Sequence, residues 1–242
     1  MSEGRARLRR TLGKNHLATV AGLAIAAIVA VTLAAPYLPI ADPDTVDTPN
    51  RLRPPLSAGH VLGTDEFGRD LLSRLIWGGR VSLVAGVGAA GAAMLVGVGL
   101  GIVAGYYTGR VSSVIMRLTD ILMAFPYILL AIAIVAGLGP GLRNAMVAIA
   151  IVGFPIYTRL VRSVVLQIRA REFVEAAHAL GSPDHHILFR HVLPHLYSPI
   201  IVAFSLDVGA KILATSGLSF LGLGTQPPPR TGAACSRRAA SS

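Results

Sequence analysis

Long apolar runs alternate with short polar segments rich in Gly, Pro and Arg along most of the chain. A helix needs about 20 apolar residues to cross roughly 30 Å of hydrocarbon. Residues 17–40, 81–109 and 121–142 reach that length, and 144–158 reaches it through Leu160 and Val161 if Arg159 and Arg162 snorkel. A fifth run, 196–223, is interrupted by Asp207 and Lys211. The segment "GLGPGLRN" between the third and fourth runs predicts a tight antiparallel connection. Residues 17–40 are too long for the core of a signal peptide and lack a clear small-x-small cleavage site, so the first span is read as retained. Gly97, Gly101 and Gly105 recur every four residues and share one helix face, where another backbone can approach closely. Packing within this chain is favoured over a dedicated dimer motif. The pattern predicts an all-α, polytopic membrane protein with five spans.

Composition agrees. The chain is 53% hydrophobic and only 14% charged, whereas a soluble domain carries about a quarter charged residues. The net charge of +10 would suit nucleic acid, but the basic residues lie between apolar runs, as in loops flanking membrane spans. With the N-terminal arm inside, inner segments hold Arg5, Arg7, Arg9, Arg10, Lys14, Arg110, Arg117, Arg159, Arg162, Arg169, Arg171 and Arg190. Outer segments hold Arg51, Arg53, Arg69, Arg74, Arg80 and Arg143, the first loop offset by acidic residues. The bias predicts a cytoplasmic N-terminus and puts residues 175–195 in the cytoplasm. A lone Cys235 excludes an internal disulfide framework or a Cys-based zinc site. No GxxxxGK[ST] stretch is present, so the chain is not its own ATPase.

The most polar long stretch is "EAAHALGSPDHHILFRHVLPH", residues 175–195. Residues 171–180 predict a short helix of good helix formers, ended by Gly181. Ser182 is expected to cap a second helix with Pro183 in its first turn, and Pro194 to end it. A metal site would need His186, His191 and His195, or His185, to converge. Pro194 is expected to break the alignment of His191 with His195, and no HExxH pattern is present, so no metal is assigned. Each histidine alone reads as a solvated, headgroup-facing residue.

Taken whole, the stretch resembles the EAA loop of permease subunits of binding-protein-dependent ABC importers. Glu175, Ala176, Ala177, Gly181, Leu193 and Pro194 match together. The resemblance implies a coupling helix that docks in a cleft of a separate ATPase subunit. Small alanines suit close approach, and Gly181 suits a sharp turn. A second match, "GTDEFGRD", with Gly63, Thr64, Asp65, Gly68, Arg69 and Asp70, looks like a segment of the dipeptide/oligopeptide/nickel permeases, in the C-type subunit. Residues 119–141 and 217–228 look like the same branch. Read without the resemblance, residues 63–76 predict a turn and a separate interfacial amphipathic helix, with Leu71, Leu72, Leu75 and Ile76 toward the membrane. A carboxylate hydrolase at Asp65, Glu66 and Asp70 is set aside because no histidine, metal or nucleophile is expected to partner them.

The resemblance implies a type I importer permease fold of six spans, no catalytic residues, no bound cofactor and ATP-Mg on partner subunits. The partners implied are a homologous permease, two cytoplasmic ATPases and an extracytoplasmic solute-binding protein, in a bacterial plasma membrane. A membrane-embedded metal enzyme and an ATP-independent secondary transporter are the competing classes.

Two features depart from the family. Asp207 and Lys211, four apart on one helix face, stand where the family has small or apolar residues. They could line a substrate path or form a neutralised structural pair. After Pro228 the resemblance stops, so residues 1–80, 81–228 and 229–242 divide into an N-terminal segment, a permease core and an aberrant tail. One back-translation of residues 230–237, shifted by one base, reads Pro-Asp-Trp-Gly-Gly-Met-Leu-Ala, the continuation the family implies. This points to a frameshift, either in the gene or introduced by a sequencing error, that removes a sixth span, and a chain lacking that span is expected to be inactive or to assemble poorly.

Overall fold

The computed structural model describes residues 16–224; the basic arm before His16 and the tail 229–242 lie outside the described residues. Every regular element among them is helical: α1 (His16–Ala34), α2 (Leu71–Tyr106), α3 (Arg110–Met123), α4 (Tyr127–Leu138), α5 (Leu142–Arg169), α6 (Glu172–Ala179), α7 (Asp184–Ile187) and α8 (Leu193–Phe220). Four helical stretches are long and apolar enough to cross a membrane, and α3 with α4 makes a fifth if that bent pair is one span. The chain divides into two compact units, meeting in sequence at Leu83 and Val84.

In the first unit, α1 satisfies its one buried hydroxyl locally: Thr32 donates to the carbonyls of Ile28 and Val29. Gly79 leaves the space that the Thr32 methyl occupies, since a Cβ there would sit 2.7 Å from it. The interfacial helix expected at 71–76 is not separate. It is the first turn and a half of α2, which runs unbroken for 36 residues, about 54 Å. Gly78 and Gly79 did not break it, and Thr32 fills the space beside Gly79. Of the four residues expected to face lipid, Ile76 is buried, while Leu75 is 67% exposed.

The second unit is organised around α5. Its small and branched residues Ala145, Ala148, Ile149 and Val152 pack with Ala89, Ala131, Val135 and Leu218. The glycine stripe of α2 meets α5 directly. A Cβ at Gly97 would lie 2.5 Å from the Phe154 carbonyl, and Cβ atoms at Gly101 and Gly105 would lie 2.7 Å from Val161 and Val165. The stripe therefore serves packing within the chain, as the pattern suggested.

Three further spans differ from the sequence reading. The third span is not one helix over 121–142, because α3 and α4 meet at 93°. Pro126 has no N–H to donate and clashes with the preceding turn, and it keeps Phe125 from helical geometry. The fourth span does not end near 161: α5 continues to Arg169. Its arginines find partners instead of snorkelling, Arg159 pairing with Asp120 at 2.6 Å and Arg162 donating to Ser112 at 3.1 Å. The fifth span is longer too. Helix runs from Asp184 to Phe220, and Pro194 does not end it. A π-helical turn over Leu188–Val192 leads into α8. That wider turn relieves the clash a proline makes with the preceding carbonyls, and Pro194 then falls in the first turn of α8.

Candidate functional site

The polar stretch builds a compact handle. α6 closes on Gly181 at φ +77°. The Gly181 N–H donates to the His178 carbonyl and the Ser182 N–H to that of Ala177, the paired bonds of a Schellman ending. The Ser182 cap expected for the next helix is absent. Pro183 precedes α7, no side chain caps it, and the N–H groups of His186 and Ile187 bond to the Pro183 carbonyl instead.

Apolar residues pin the handle beneath the spans. Val174, Ile187, Val192 and Leu196 are fully buried in one cluster with Tyr106, Val161, Val165 and Ile168. Polar contacts complete the anchor. Tyr106 donates to Asp184 at 2.7 Å, its ring stacks on His178, and Arg169 donates to the Tyr106 carbonyl at 2.9 Å. Tyr106 escaped the sequence reading, and Arg169 was read only as an inner-loop charge. Their signal was position: one ends the glycine-striped helix, the other ends α5.

The opposite side of the handle faces outward. Leu180 is 87% and Phe189 71% exposed. Glu175, Ala176 and Gly181 are exposed with them, Ala177 and Leu193 are half-buried, and Pro194 is exposed at the start of α8. The histidines do not converge on a metal: among the described residues no three His, Cys, Asp or Glu side chains do so. The reason given from sequence needs correction, because the helix holds through Pro194. His195 donates from Nδ1 to the His191 carbonyl at 2.7 Å, and both rings pack on Phe173.

Asp207 and Lys211 lie near the middle of α8 and form the expected pair, 3.3 Å apart. Lys211 is 2% exposed. Its Nζ also donates to the Tyr127 hydroxyl at 3.1 Å and lies over the Tyr127 ring, while Tyr157 donates to the other Asp207 oxygen at 3.1 Å. Gly153 of α5 makes the lysine's burial sterically feasible, because a Cβ there would overlap Nζ. The charges thus reside in a network joining α4, α5 and α8, which the sequence alone did not reveal.

In the first unit, "GTDEFGRD" is a folded extramembrane turn. Gly63 and Gly68 adopt φ near +80° (values +80° and +78°), and their missing side chains let the carbonyls of Arg53 and Asp47 approach. Thr64 donates to the Asn50 carbonyl and accepts from the Arg53 N–H. Asp65 accepts from the N–H groups of Phe67 and Arg69 and pairs with the Arg69 and Arg74 guanidinium groups. Asp70 accepts from the Ser73 N–H and pairs with His60 at 3.0 Å. Asp70 therefore does have a histidine partner, which corrects the sequence reading.

Burial pushes the Asp65 carboxyl up, but the Arg69 and Phe67 N–H groups and the Arg69 guanidinium outweigh it and hold it at about 2, against an ordinary 3.8. A lowered folded-state value contributes stability that is present above pH 3.8 and is lost as pH falls through about 2. Pepsin cleavage within 47–70 is therefore expected to rise as pH drops from about 4 to 2. Asp65→Asn is expected to be cleaved readily already at pH 4; equal resistance of variant and wild type there contradicts this role.

A core of long apolar helices with a polar loop between α5 and α8 describes a polytopic membrane protein, and sequence comparison gives its class. Residues 97–232 match the family described as binding-protein-dependent transport system inner membrane component, and the chain belongs to that family. It is 47% identical over 219 residues to the dipeptide transport system permease protein DppC of Alkalihalophilus pseudofirmus, covering 90% of this chain and 72% of that one. The glutathione transport system permease protein GsiD of Pectobacterium atrosepticum is 44% identical over 221 residues, 91% of this chain and 73% of its own. The probable D,D-dipeptide transport system permease protein DdpC of Escherichia coli K12 is 40% identical over 223 residues, covering 92% and 74%. The chain is a multi-pass inner-membrane permease component of an ABC importer and not an enzyme.

Proposed function

We propose that the chain carries short peptides inward across the plasma membrane, with its N-terminus in the cytoplasm and the 171–195 handle seated on an ATPase subunit that holds ATP-Mg. A homologous permease, a second ATPase subunit and an extracytoplasmic binding protein complete the assembly. The permease relatives named for dipeptides, glutathione and D,D-dipeptides support the solute class.

The observation that carries the reading is the helical continuity from Asp184 to Phe220. One stiff element joins the exposed handle to the middle of the membrane, and hydrogen-bonded helix transmits a push better than a loop. Movement of the handle from Asp184 onward reaches Asp207 and Lys211 through α7, the π-helical turn and α8 without crossing a non-helical joint. ATP binding closes the ATPases, the handle moves, and the spans alternate between inward and outward openings. Asp207, and Lys211 once the outward opening uncovers its ammonium, supply opposite charges for the termini of a zwitterionic peptide on that path.

The test is uptake of a labelled dipeptide into proteoliposomes holding the whole assembly and its binding protein. Uptake is expected to require ATP, and uptake driven by an ion gradient alone would overturn the reading. Asp207→Asn combined with Lys211→Met is expected to lower dipeptide uptake several-fold relative to a neutral solute. Unchanged uptake and selectivity would leave the pair a structural one.

A further inference from the structure

A groove of about 370 Å³ runs between α2 and α5, within the range of small-ligand sites. Gly88, Ala92 and Val96, each four residues from the next, form one wall; Val147 and Ile151 form much of the other. The lining is almost wholly apolar, apart from Arg143 at one end. Arg143 is the second residue of α5, is exposed, and makes no ion pair among the described residues. From Arg143 to Phe154, the last lining residue of α5, the helix rises about 16 Å. One leaflet of the hydrocarbon core is about 15 Å deep, half of the bilayer's roughly 30 Å. The groove thus has an acyl chain's chemistry over a single leaflet's depth, with an unpaired cation at the end of the span where headgroups lie.

We infer that this groove is a binding site for an anionic glycerophospholipid, one acyl chain lying along α2 and α5 and the phosphodiester on Arg143. The leaflet is the one opposite the 171–195 handle, which follows the other end of α5. An acyl chain fits because Gly88 and Ala92 leave depth that larger side chains would fill; even a Cβ at Gly88 would reach 2.5 Å from the Met146 methyl. A phosphate fits because a guanidinium presents paired donors to it, and the pairing is strengthened next to hydrocarbon. This site is independent of the transported solute and of ATPase docking.

The experiment is native mass spectrometry of the full chain in detergent, titrated with phosphatidylglycerol and, separately, with phosphatidylcholine. Wild type is expected to prefer phosphatidylglycerol about tenfold, the scale of one charge-assisted contact. Arg143→Gln is expected to erase the preference while retaining weak binding of both lipids, and Ala92→Phe to reduce both. Because Arg143 is exposed at a helix start, its variant tests the site without disturbing the core. Undiminished preference in Arg143→Gln overturns the inference. So does displacement of the lipid by equimolar inorganic phosphate, which would mark an anion site alone. Cross-linking of Val147→Cys to a co-expressed permease partner, with loss of the lipid, would overturn it in favour of a subunit interface.

Discussion

Lys211→Met is expected to lower the thermal midpoint of the purified chain by roughly 10 °C, the shift that a loss of about 3–5 kcal/mol gives a chain of this size. The substitution keeps the bulk of the side chain and removes its charge. Asp207, the fifteenth of the 28 residues of the apolar helix α8, is then left with only the Tyr157 hydroxyl as partner. An unpaired carboxylate there is costly, and the Tyr127 hydroxyl also loses its donor. Asp207→Asn is expected to cost a similar amount, since it strands an ammonium that is 2% exposed. The double variant is expected to recover most of the loss, because no charge remains to be satisfied. A thermal melt of all four proteins in the same detergent closes the cycle. Additive losses in the double variant would mean that the two side chains do not act as a pair.

Gly181→Val is expected to abolish most ATP-dependent uptake, by at least about tenfold, while the chain still inserts in the membrane at wild-type amounts. The glycine has φ +77° and nothing within 4 Å of a Cβ built on it. Crowding is therefore not the cause. The cost is in the backbone: an L-residue in the left-handed region loses roughly 1–2 kcal/mol, and a β-branched one more. That strain unwinds the paired bonds to Ala177 and His178 and swings Leu180 away from its place. Gly181→Asn, which tolerates the same backbone, is expected to keep most activity. If asparagine and valine inactivate equally, the turn geometry is not what matters at this position.

Much of this was legible in the residues. Four long apolar helices followed from run length, and the glycine stripe on α2 declared a close helix contact. The handle could be placed because Glu175, Ala176, Ala177, Gly181, Leu193 and Pro194 keep a recognisable spacing. The errors cluster at prolines. Pro126 sits in a run that hydropathy alone reads as continuous, yet it turns the chain through 93°. Pro194 was expected to stop a helix, and a π turn absorbed it. Whether a proline breaks a helix depends on the turn before it, which local composition does not encode. Tertiary partners were hidden for a related reason. Lys211 is 84 residues from Tyr127, and Tyr106 is 78 from Asp184, so only the packed helices bring them together. His60 and Asp70 are nearer in sequence, but the turn between them sets their meeting.

The central claim is that residues 171–195 form the surface an ATPase subunit grips. The most direct measurement is disulfide cross-linking from Leu180→Cys, in a chain whose own Cys235 is replaced by serine, to single cysteines around the cleft of the co-expressed ATPase subunit. Leu180 is 87% exposed at the tip of the handle, so a cross-linked permease–ATPase species is expected in membranes, and Gly181→Val is expected to diminish it. Absence of any such species from Leu180→Cys, while the assembled complex still transports with ATP, would contradict the account.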